Sequence, residues 1–572
     1  MASRAFKDAI ARQLSRITGI KEAILESAIE IPKSRTHGEF AIPMPKLSSL
    51  SGKSHGSPVE WAGQLATKGD AFITRATALG PFLNFSVQPT EYIRHTLIDV
   101  HNKKDKYGMN PDFGQGKTVT IDYSSPNIAK PFHAGHLRST ILGNFVKQIH
   151  LAMGYNVIGI NYLGDWGKQY GLLAVGFEKY GDESLLEKDP IHHLYDVYVK
   201  INRDAKDPAV DRQANLYFKR MEDGDEQALR QWRRFRELSI ASYKDIYGRL
   251  NIEFEQYSGE SQVNEYIAHV YQLLHNKNLV VEQEDGSLVV DLEKYKLGKP
   301  VLQRSDGTSL YLTRDLASYM MRSQKYAFDR AVYVVGTEQS QYLKQVFKIA
   351  ELLINDDKER LHVPFGRIHG MSTRKGTVVF LQDILDTAKN SMLDIMKEND
   401  EKYQSMLQES SSDVAQIADI VGASAVLVQD LAAKRIKDYH FSWKRMTDAR
   451  GDTGVYLQYA HARLCGIERK SDTPIVTDSD VSLLKEPDCI ELAVIISQYP
   501  DMVKTAFETL EPCTIVQYLF QLSHAISSAN NHLRVKDVPP ELAKARMSLF
   551  WAAKTTLANG MRLLGITPVE RM

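Results

Sequence analysis

Two histidines, His133 and His136, stand three residues apart with only Ala134 and Gly135 between them. An imidazole can donate to a phosphate oxygen, and the small residues between leave room for a nucleotide to approach the backbone. Taken alone, a His-x-x-His pair is more often a surface coincidence and less often a pair of metal ligands. A second stretch, Lys434 to Arg450, carries six basic and two acidic residues interleaved with Tyr439, His440, Phe441 and Trp443. Basic and aromatic side chains together suit phosphate contact and base stacking. Such a run by itself is more often a solvated helix face.

The histidines lie where a strand gives way to a helix. Val119 and Ile121 alternate with polar neighbours, which predicts a short strand ending at Asp122. Ser124, Ser125, Pro126 and Asn127 form a turn, and Leu137, Ile141 and Leu142 recur at helical spacing from about Gly135 onward. Strand, turn and helix make half of a nucleotide-binding βαβ unit, which holds anions at the helix N-terminus. The next strand is expected over Tyr155 to Ile160, and a charged helical stretch over Asp182 to Leu250. Asp285-Gly286 marks a hairpin between Leu279 and Asp291. Tyr311 and Asp315 are four apart and share a face if helical, although that spacing alone describes an ordinary helix-surface acid. Ala331 to Val335 reads as a buried parallel strand that ends in Gly336.

The residues around the histidines are more specific than the pair. H-A-G-H resembles the first signature of the class I aminoacyl-tRNA synthetases, and S-S-P-N-I-A-K-P-F-H-A-G-H-L-R-S-T, from Ser124 to Thr140, resembles the arginyl-tRNA synthetases of cytoplasmic eukaryotic, fungal-like type. H-G-M-S-T-R-K-G-T-V, His369 to Val378, resembles the second class I signature, with Gly370 and Thr373 in place of its two lysines. H-G-E-F-A-I-P at His37 and G-P-F-L-N-F at Gly80 resemble the family's N-terminal domain. A-R-G-D-T-G-V-Y-L-Q-Y-A-H-A-R, Ala449 to Arg463, resembles a tRNA-contacting loop and helix of its anticodon-binding domain.

The resemblance implies an α/β fold. A Rossmann-type catalytic domain would span 109–412 with a helical insertion at about 182–300, behind an α+β N-terminal domain over 1–108 and before an all-α anticodon-binding domain over 413–572. It implies an arginine–tRNA ligase that activates L-arginine with ATP and transfers it to the 3′ end of tRNA(Arg). Catalysis would fall to His133, His136, Lys375 and Lys130. Arginine would contact Ser125, Pro126, Asn127, His136, Tyr311, Asp315 and Gln339. Asp122, at the edge of its strand, would offer a second carboxylate to the guanidinium, whose rigid fork a carboxylate meets with parallel bonds. ATP would contact His133, Gly135, His136, Gly336, Met371, Ser372, Arg374 and Lys375, with Mg²⁺ entering as part of the ATP complex. In the N-terminal domain, Phe82 would stack on a base of the tRNA elbow and Asn84 would bond to one; Phe82 reads equally well as core. Ala449, Arg450, Gly451, Asp452, Thr453, Gly454, Tyr456, Gln458, Tyr459 and Arg463 would meet tRNA. No tightly bound cofactor or metal is expected, and the chain is expected to act as a monomer.

Length and composition agree with this reading without carrying it. The 572 residues suffice for three or four domains. Seventy-one basic and 71 acidic side chains cancel, so a nucleic-acid surface must be a local patch. Cys465, Cys489 and Cys513 are too dispersed for a zinc pair or a disulfide framework, which favours a reducing compartment. No apolar run is expected to reach the roughly 20 residues of a membrane span. Arg4, Lys7, Arg12 and Arg16 imitate a mitochondrial presequence, but Asp8, Glu22 and Glu26 interrupt them, so a cytoplasmic protein is expected. Two rivals remain. A glutamyl-type synthetase would want a cationic pocket, against Asp122 and Asp315, whereas a non-catalytic tRNA-binding or assembly protein would bind tRNA without turnover.

Overall fold

A computed structural model of the chain describes all residues except Met1, 33–34, 53, 66–69, 129–133, 306–309, 371–379, 399–402, 405–406, 408–410, 447 and 449–450. Phe6, Ile10 and Leu14 are wholly buried on one face of the helix Ala2–Thr18, which packs over an antiparallel sheet of order β1-β3-β2. Its strands are β1 (Phe40–Pro43), β2 (Ile73–Leu79) and β3 (Phe82–Val87). The helix Pro89–Lys103 then leaves this unit, and its Leu97 and Val100 join the main core instead.

The main sheet begins with β4 (Thr118–Asp122), β5 (Asn156–Leu163) and β6 (Gln256–Gly259). A small antiparallel sheet, β7 (Val280–Glu282), β8 (Leu288–Val290) and β9 (Val301–Gln303), follows, with the expected Asp285-Gly286 turn joining its first two strands. The chain returns to the main sheet through β10 (Arg330–Tyr333) and β11 (Glu359–His362). The sheet order is β11-β10-β4-β5-β6, and every neighbouring pair is parallel. From β4 the chain winds outward first to one side and later to the other. The switch therefore lies between β4 and β10, where a doubly wound sheet opens a crevice beyond its strand ends.

Within the stretch expected as a helical insertion, helices run from Glu183 to Arg249, and one more, Asn264–Asn276, follows the strand β6. Gln256–Gly259 is instead the edge of the main sheet, because Ile160 to Leu163 offer it a parallel partner. The last part of the chain is helical: Ser411–Leu431, Gly454–Ser471, Pro487–Thr509, Cys513–His532 and Pro540–Leu563. Ser411 opens the first of these helices, two residues before the expected domain boundary at 412/413. That helix also corrects the expectation about apolar runs, since Asp413–Leu431 is long and apolar enough to cross a membrane. It is mostly buried in the protein, with Val421, Ala425, Val428 and Leu431 in the shared core. A short parallel ladder, β12 (Ile368–His369) with β13 (Tyr439–His440), ties the sheet region to these helices.

Candidate active site at the switch point

β4 and β10 end side by side, with Asp122 in register with Tyr333. The turn after β4 takes a left-handed backbone at Ser124 (φ 69°) and Ser125 (φ 48°), and side-chain bonds hold it there. Ser139 Oγ accepts from Ser124 N at 2.9 Å and donates to Val334 O at 2.6 Å, tying the turn to the signature helix Ala134–Ala152 and to β10. Ser124 Oγ also lies 2.6 Å from Tyr247 Oη. Such bonds offset a strained conformation, which costs on the order of 1–3 kcal/mol.

Beyond this turn is a cavity of about 240 Å³ lined by Asp122, Ser125, Asp315, Arg322, Gln339 and Tyr342, among others. Asp122 is buried, and each of its oxygens has a partner within the chain. Its Oδ1 accepts from Ser125 Oγ at 2.8 Å, and its Oδ2 pairs with Arg322 Nη1 at 2.7 Å. The second carboxylate expected for the guanidinium thus lines the cavity already paired with a guanidinium of the chain itself. Arg322 is also stacked on Tyr162, 5.0 Å from the ring centroid.

Asp315 differs. Tyr342 Oη donates to it, and among the described residues it makes no ion pair. Burial pushes its pKa up to about 6; the Tyr342 hydrogen bond opposes that rise, Asp122 adds to it, and Arg322 opposes it. The pocket thus holds a neutralised pair, Asp122 with Arg322, and one uncompensated acid. Arg322 and Tyr342 were not singled out from sequence. Asp315, Ser318 and Arg322 stand at helical positions i, i+3 and i+7, so one face of the helix Tyr311–Tyr326 carries all three into the cavity. That spacing was the available signal for Arg322. Nothing in the sequence pointed to Tyr342.

The other expected residues divide. Gln339 lines the cavity from the turn that begins at Gly336, whose backbone bridges Phe365. Pro126 and Asn127 are fixed against the loop after β5, where Gly164 N donates to Pro126 O at 3.2 Å. A Cβ on Gly164 would fall 1.6 Å from Asn127 Oδ1, so only glycine allows this approach. Gly135 and His136 lie in the first turn of the signature helix, half-buried. Tyr311 does not line the cavity: it begins its helix with 75% of its surface exposed. Lys130, His133, Met371, Ser372, Arg374 and Lys375 lie outside the described residues.

A second candidate surface lies on the C-terminal helices. A groove of about 760 Å³ runs past Tyr459, Arg463, Lys470, Arg534, Lys536 and Arg571. Tyr459 is 46% exposed, and Arg463, one turn on, approaches the side-chain amide of Asn530. This basic groove with an exposed aromatic ring has the character expected of a local nucleic-acid patch. Tyr459 and Arg463, expected from the sequence to meet tRNA, line it beside Lys470, Arg534, Lys536 and Arg571, which are distant in the chain and meet only in the fold.

Several expected tRNA contacts on the same helix prove to be engaged within the protein. Gln458 is wholly buried: its Nε2 donates to Ser424 Oγ and Thr567 O, and its Oε1 accepts from Val569 N. Thr453 is buried as the helix N-cap, accepting from Tyr456 N at 3.2 Å. Gly454 packs so closely on Ser424 that a Cβ would lie 2.2 Å from its carbonyl oxygen. Asp452 pairs with His524 at 2.9 Å, and Tyr456 Oη lies 3.2 Å from the other nitrogen of the same ring. Gly451 is half-buried, and Ala449 and Arg450 lie outside the described residues. In the N-terminal sheet Phe82 is exposed at the turn into β3, as a stacking residue must be, whereas Asn84 is buried between Ala41 and Thr77 and cannot reach a base from there.

Comparison with known sequences and structures agrees with this geometry. Residues 97–443 match the family described as tRNA synthetases class I (R), catalytic domain; residues 4–87 match the arginyl tRNA synthetase N terminal domain, and 457–572 the DALR anticodon binding domain. A probable cytoplasmic arginine–tRNA ligase of Dictyostelium discoideum is 47% identical over 99% of this chain and 100% of its own length. A mitochondrial arginine–tRNA ligase of Saccharomyces cerevisiae is 43% identical over 98% of this chain and 88% of its own. The arginyl-tRNA synthetase of Thermus thermophilus superposes with a TM-score of 0.80 over 100% of both chains at 22% identity, which speaks to the fold.

Proposed function

We infer the roles of individual residues from one premise: this chain belongs to the class I arginyl-tRNA synthetase family and is an arginine–tRNA ligase, with ATP, arginine and tRNA(Arg) as its substrates. The observation that carries the reading is the cavity at the switch point, where Asp315 alone among the lining acids lacks an ion pair. Asp315 receives the guanidinium of the substrate. Asp122 acts mainly as an acceptor held in place by Arg322 and Ser125, with lone pairs left to share. Gln339, Ser125 and Asn127 take the amino-acid end, and Tyr342 keeps the Asp315 carboxylate turned into the cavity. A receiver shaped for a planar fork leaves acceptors unpaired with lysine, which discriminates by roughly 10⁴ or more.

ATP lies along the N-terminus of the signature helix, near Gly135, His136 and Gly336. His133 and His136 donate to its phosphates there, and the dipole of the helix favours the negative charge. Lys375, Arg374 and Lys130 take the departing pyrophosphate, and Mg²⁺ accompanies ATP as part of the substrate. The arginine carboxylate attacks the α-phosphorus and pyrophosphate leaves. The terminal ribose of the tRNA then displaces AMP. No side-chain nucleophile is needed, so the protein contributes position and electrostatic stabilisation.

The basic groove beside Tyr459 and Arg463 takes the anticodon end of the tRNA, and Phe82 the elbow. All of these parts lie on one chain, which supports a monomer. The name of the Dictyostelium relative supports the cytoplasm. An import assay with isolated mitochondria tests that placement, given the mitochondrial yeast relative.

Arginine-dependent exchange of pyrophosphate into ATP, measured with and without tRNA(Arg), tests the whole reading. Exchange is expected, and Asp315→Ala abolishes it by raising the KM for arginine while tRNA binding persists. Retention of wild-type KM in that variant rejects the assignment of Asp315.

A further inference from the structure

Arg138 sits in the signature helix two residues beyond His136 and is wholly buried. Its Nη1 donates to Gly366 O at 2.7 Å and to Lys437 O at 2.8 Å. Its Nε lies 3.3 Å from Asp430 Oδ1, and its guanidinium is 5.1 Å from the ring centroid of Tyr439. The two carbonyls stand at the roots of β12 and β13, so one side chain grips both strands of that ladder at once. The strands are two residues long, too short to persist on backbone bonds alone.

On the open side of the ladder, Asp438 completes the grip. Its Oδ1 accepts from Arg367 N at 2.7 Å, and its Oδ2 pairs with His369 Nε2 at 3.1 Å. Gly366 cannot carry a side chain here, since a Cβ would lie 2.5 Å from Asp438 Oδ1. Gly370 then closes the ladder in the left-handed region (φ 74°), one residue before the stretch that holds Ser372, Arg374 and Lys375.

We propose that Arg138 and Asp438 are positioning residues for the adenylation step: they clamp the β12–β13 ladder to the signature helix and so fix the point at which the chain enters 371–379. A guanidinium that serves two carbonyls and a carboxylate sets a geometry that lysine, with one point charge, cannot reproduce. A buried ion cluster is weak as a source of stability and better suited to specifying an arrangement. The arrangement specified here is the offset between the helix bearing His136 and Gly370, where the chain leaves the ladder. The inference rests on the role given to Lys375 above.

The test is pyrophosphate exchange by the full-length protein with tRNA(Arg) present, in Asp438→Ala, Arg138→Lys, Lys375→Ala and the double variant Asp438→Ala/Lys375→Ala. Asp438 is about half exposed, so its replacement leaves the core intact even if Arg138→Lys folds poorly. Misplacement by about 1 Å can cost up to a hundredfold, and Asp438→Ala is expected to lower kcat by about tenfold with the KM for arginine unchanged. In the Lys375→Ala background the same replacement is expected to cost less than about twofold, because the group it positions is gone. An unchanged kcat in Asp438→Ala overturns the proposal, as does a full tenfold loss that persists without Lys375. Wild-type kcat in Lys375→Ala overturns the reading of Lys375 instead, and the clamp is then decided by the Asp438→Ala kcat alone.

Discussion

As the proposed receiver of the guanidinium, Asp315 is asked for opposite states by the fold and by the substrate. Burial, helped by the nearby Asp122, lifts its pKa to about 6 against the pull of Tyr342 and Arg322, so folding favours the neutral acid. The stability this group contributes is complete below about pH 4, the ordinary aspartate range, and is lost as pH rises through about 6. Arginine binding wants the charged form. The expected outcome is that kcat/KM for arginine rises with pH up to about 6 and then levels, with the change carried by KM. Tyr342→Phe removes a donor to the carboxylate, so it moves that midpoint upward and raises KM at neutral pH by roughly tenfold, the worth of a charge-assisted bond. Exchange kinetics over a pH series check both statements, and a pH-independent KM in the wild type contradicts them. Asp315 was legible as an acid on a helix face, but its state was not. That depends on Tyr342, 27 residues away, and on Arg322 having already claimed Asp122.

Among the elements, the helix Gly454–Ser471 shows how one segment serves two masters. Tyr459 and Arg463 look outward into the basic groove, whereas Gln458 and Gly454 look inward onto the helix Ser411–Leu431 and the C-terminal tail. The family resemblance assigned to tRNA residues that lie on both sides of this helix, Gln458 and Gly454 as well as Tyr459 and Arg463; helical geometry allots only part of such a stretch to any one surface. The two faces predict different defects. Arg463→Ala is expected to weaken tRNA binding and flatten its salt dependence by about one unit of slope while leaving thermal stability unchanged. Gln458→Ala leaves the buried Val569 N–H without its partner, which costs about 1–3 kcal/mol and lowers the melting temperature. Titration of tRNA at several salt concentrations, paired with thermal denaturation, separates them. The strand Thr118–Asp122 and the Asp285-Gly286 hairpin, by contrast, were fully legible, since each depends on neighbours within a few residues. The edge strand β6 was hidden because its partner, β5, is about a hundred residues away.

At the scale of the molecule, hydrophobic packing does not follow the order of the chain. One core runs from Ile93 through β4 and the signature helix to Val569, while Phe6, Phe40 and Phe85 belong to a separate core in the N-terminal unit. The helix Pro89–Lys103 joins them: Tyr92 Oη meets Ser497 Oγ at 2.6 Å, and His101 stacks on Trp551 with ring centroids 4.2 Å apart. Calorimetry is therefore expected to show the sheet region and the C-terminal helices melting in one cooperative step, distinct from a smaller N-terminal transition. Trp551→Ala is expected to shift both.

The core shared by the nucleotide fold and the C-terminal helices also bears on how this enzyme can change over time. The C-terminal groove looks like a part that could be exchanged between lineages as a cassette, leaving the chemistry behind. The helices around that groove, however, send their inner side chains into the same interior as the signature helix, so a transplanted C-terminal half would bring mismatched side chains into a packed core. Changes in what the groove prefers are accordingly expected from substitutions along its rim, one at a time, rather than from recombination.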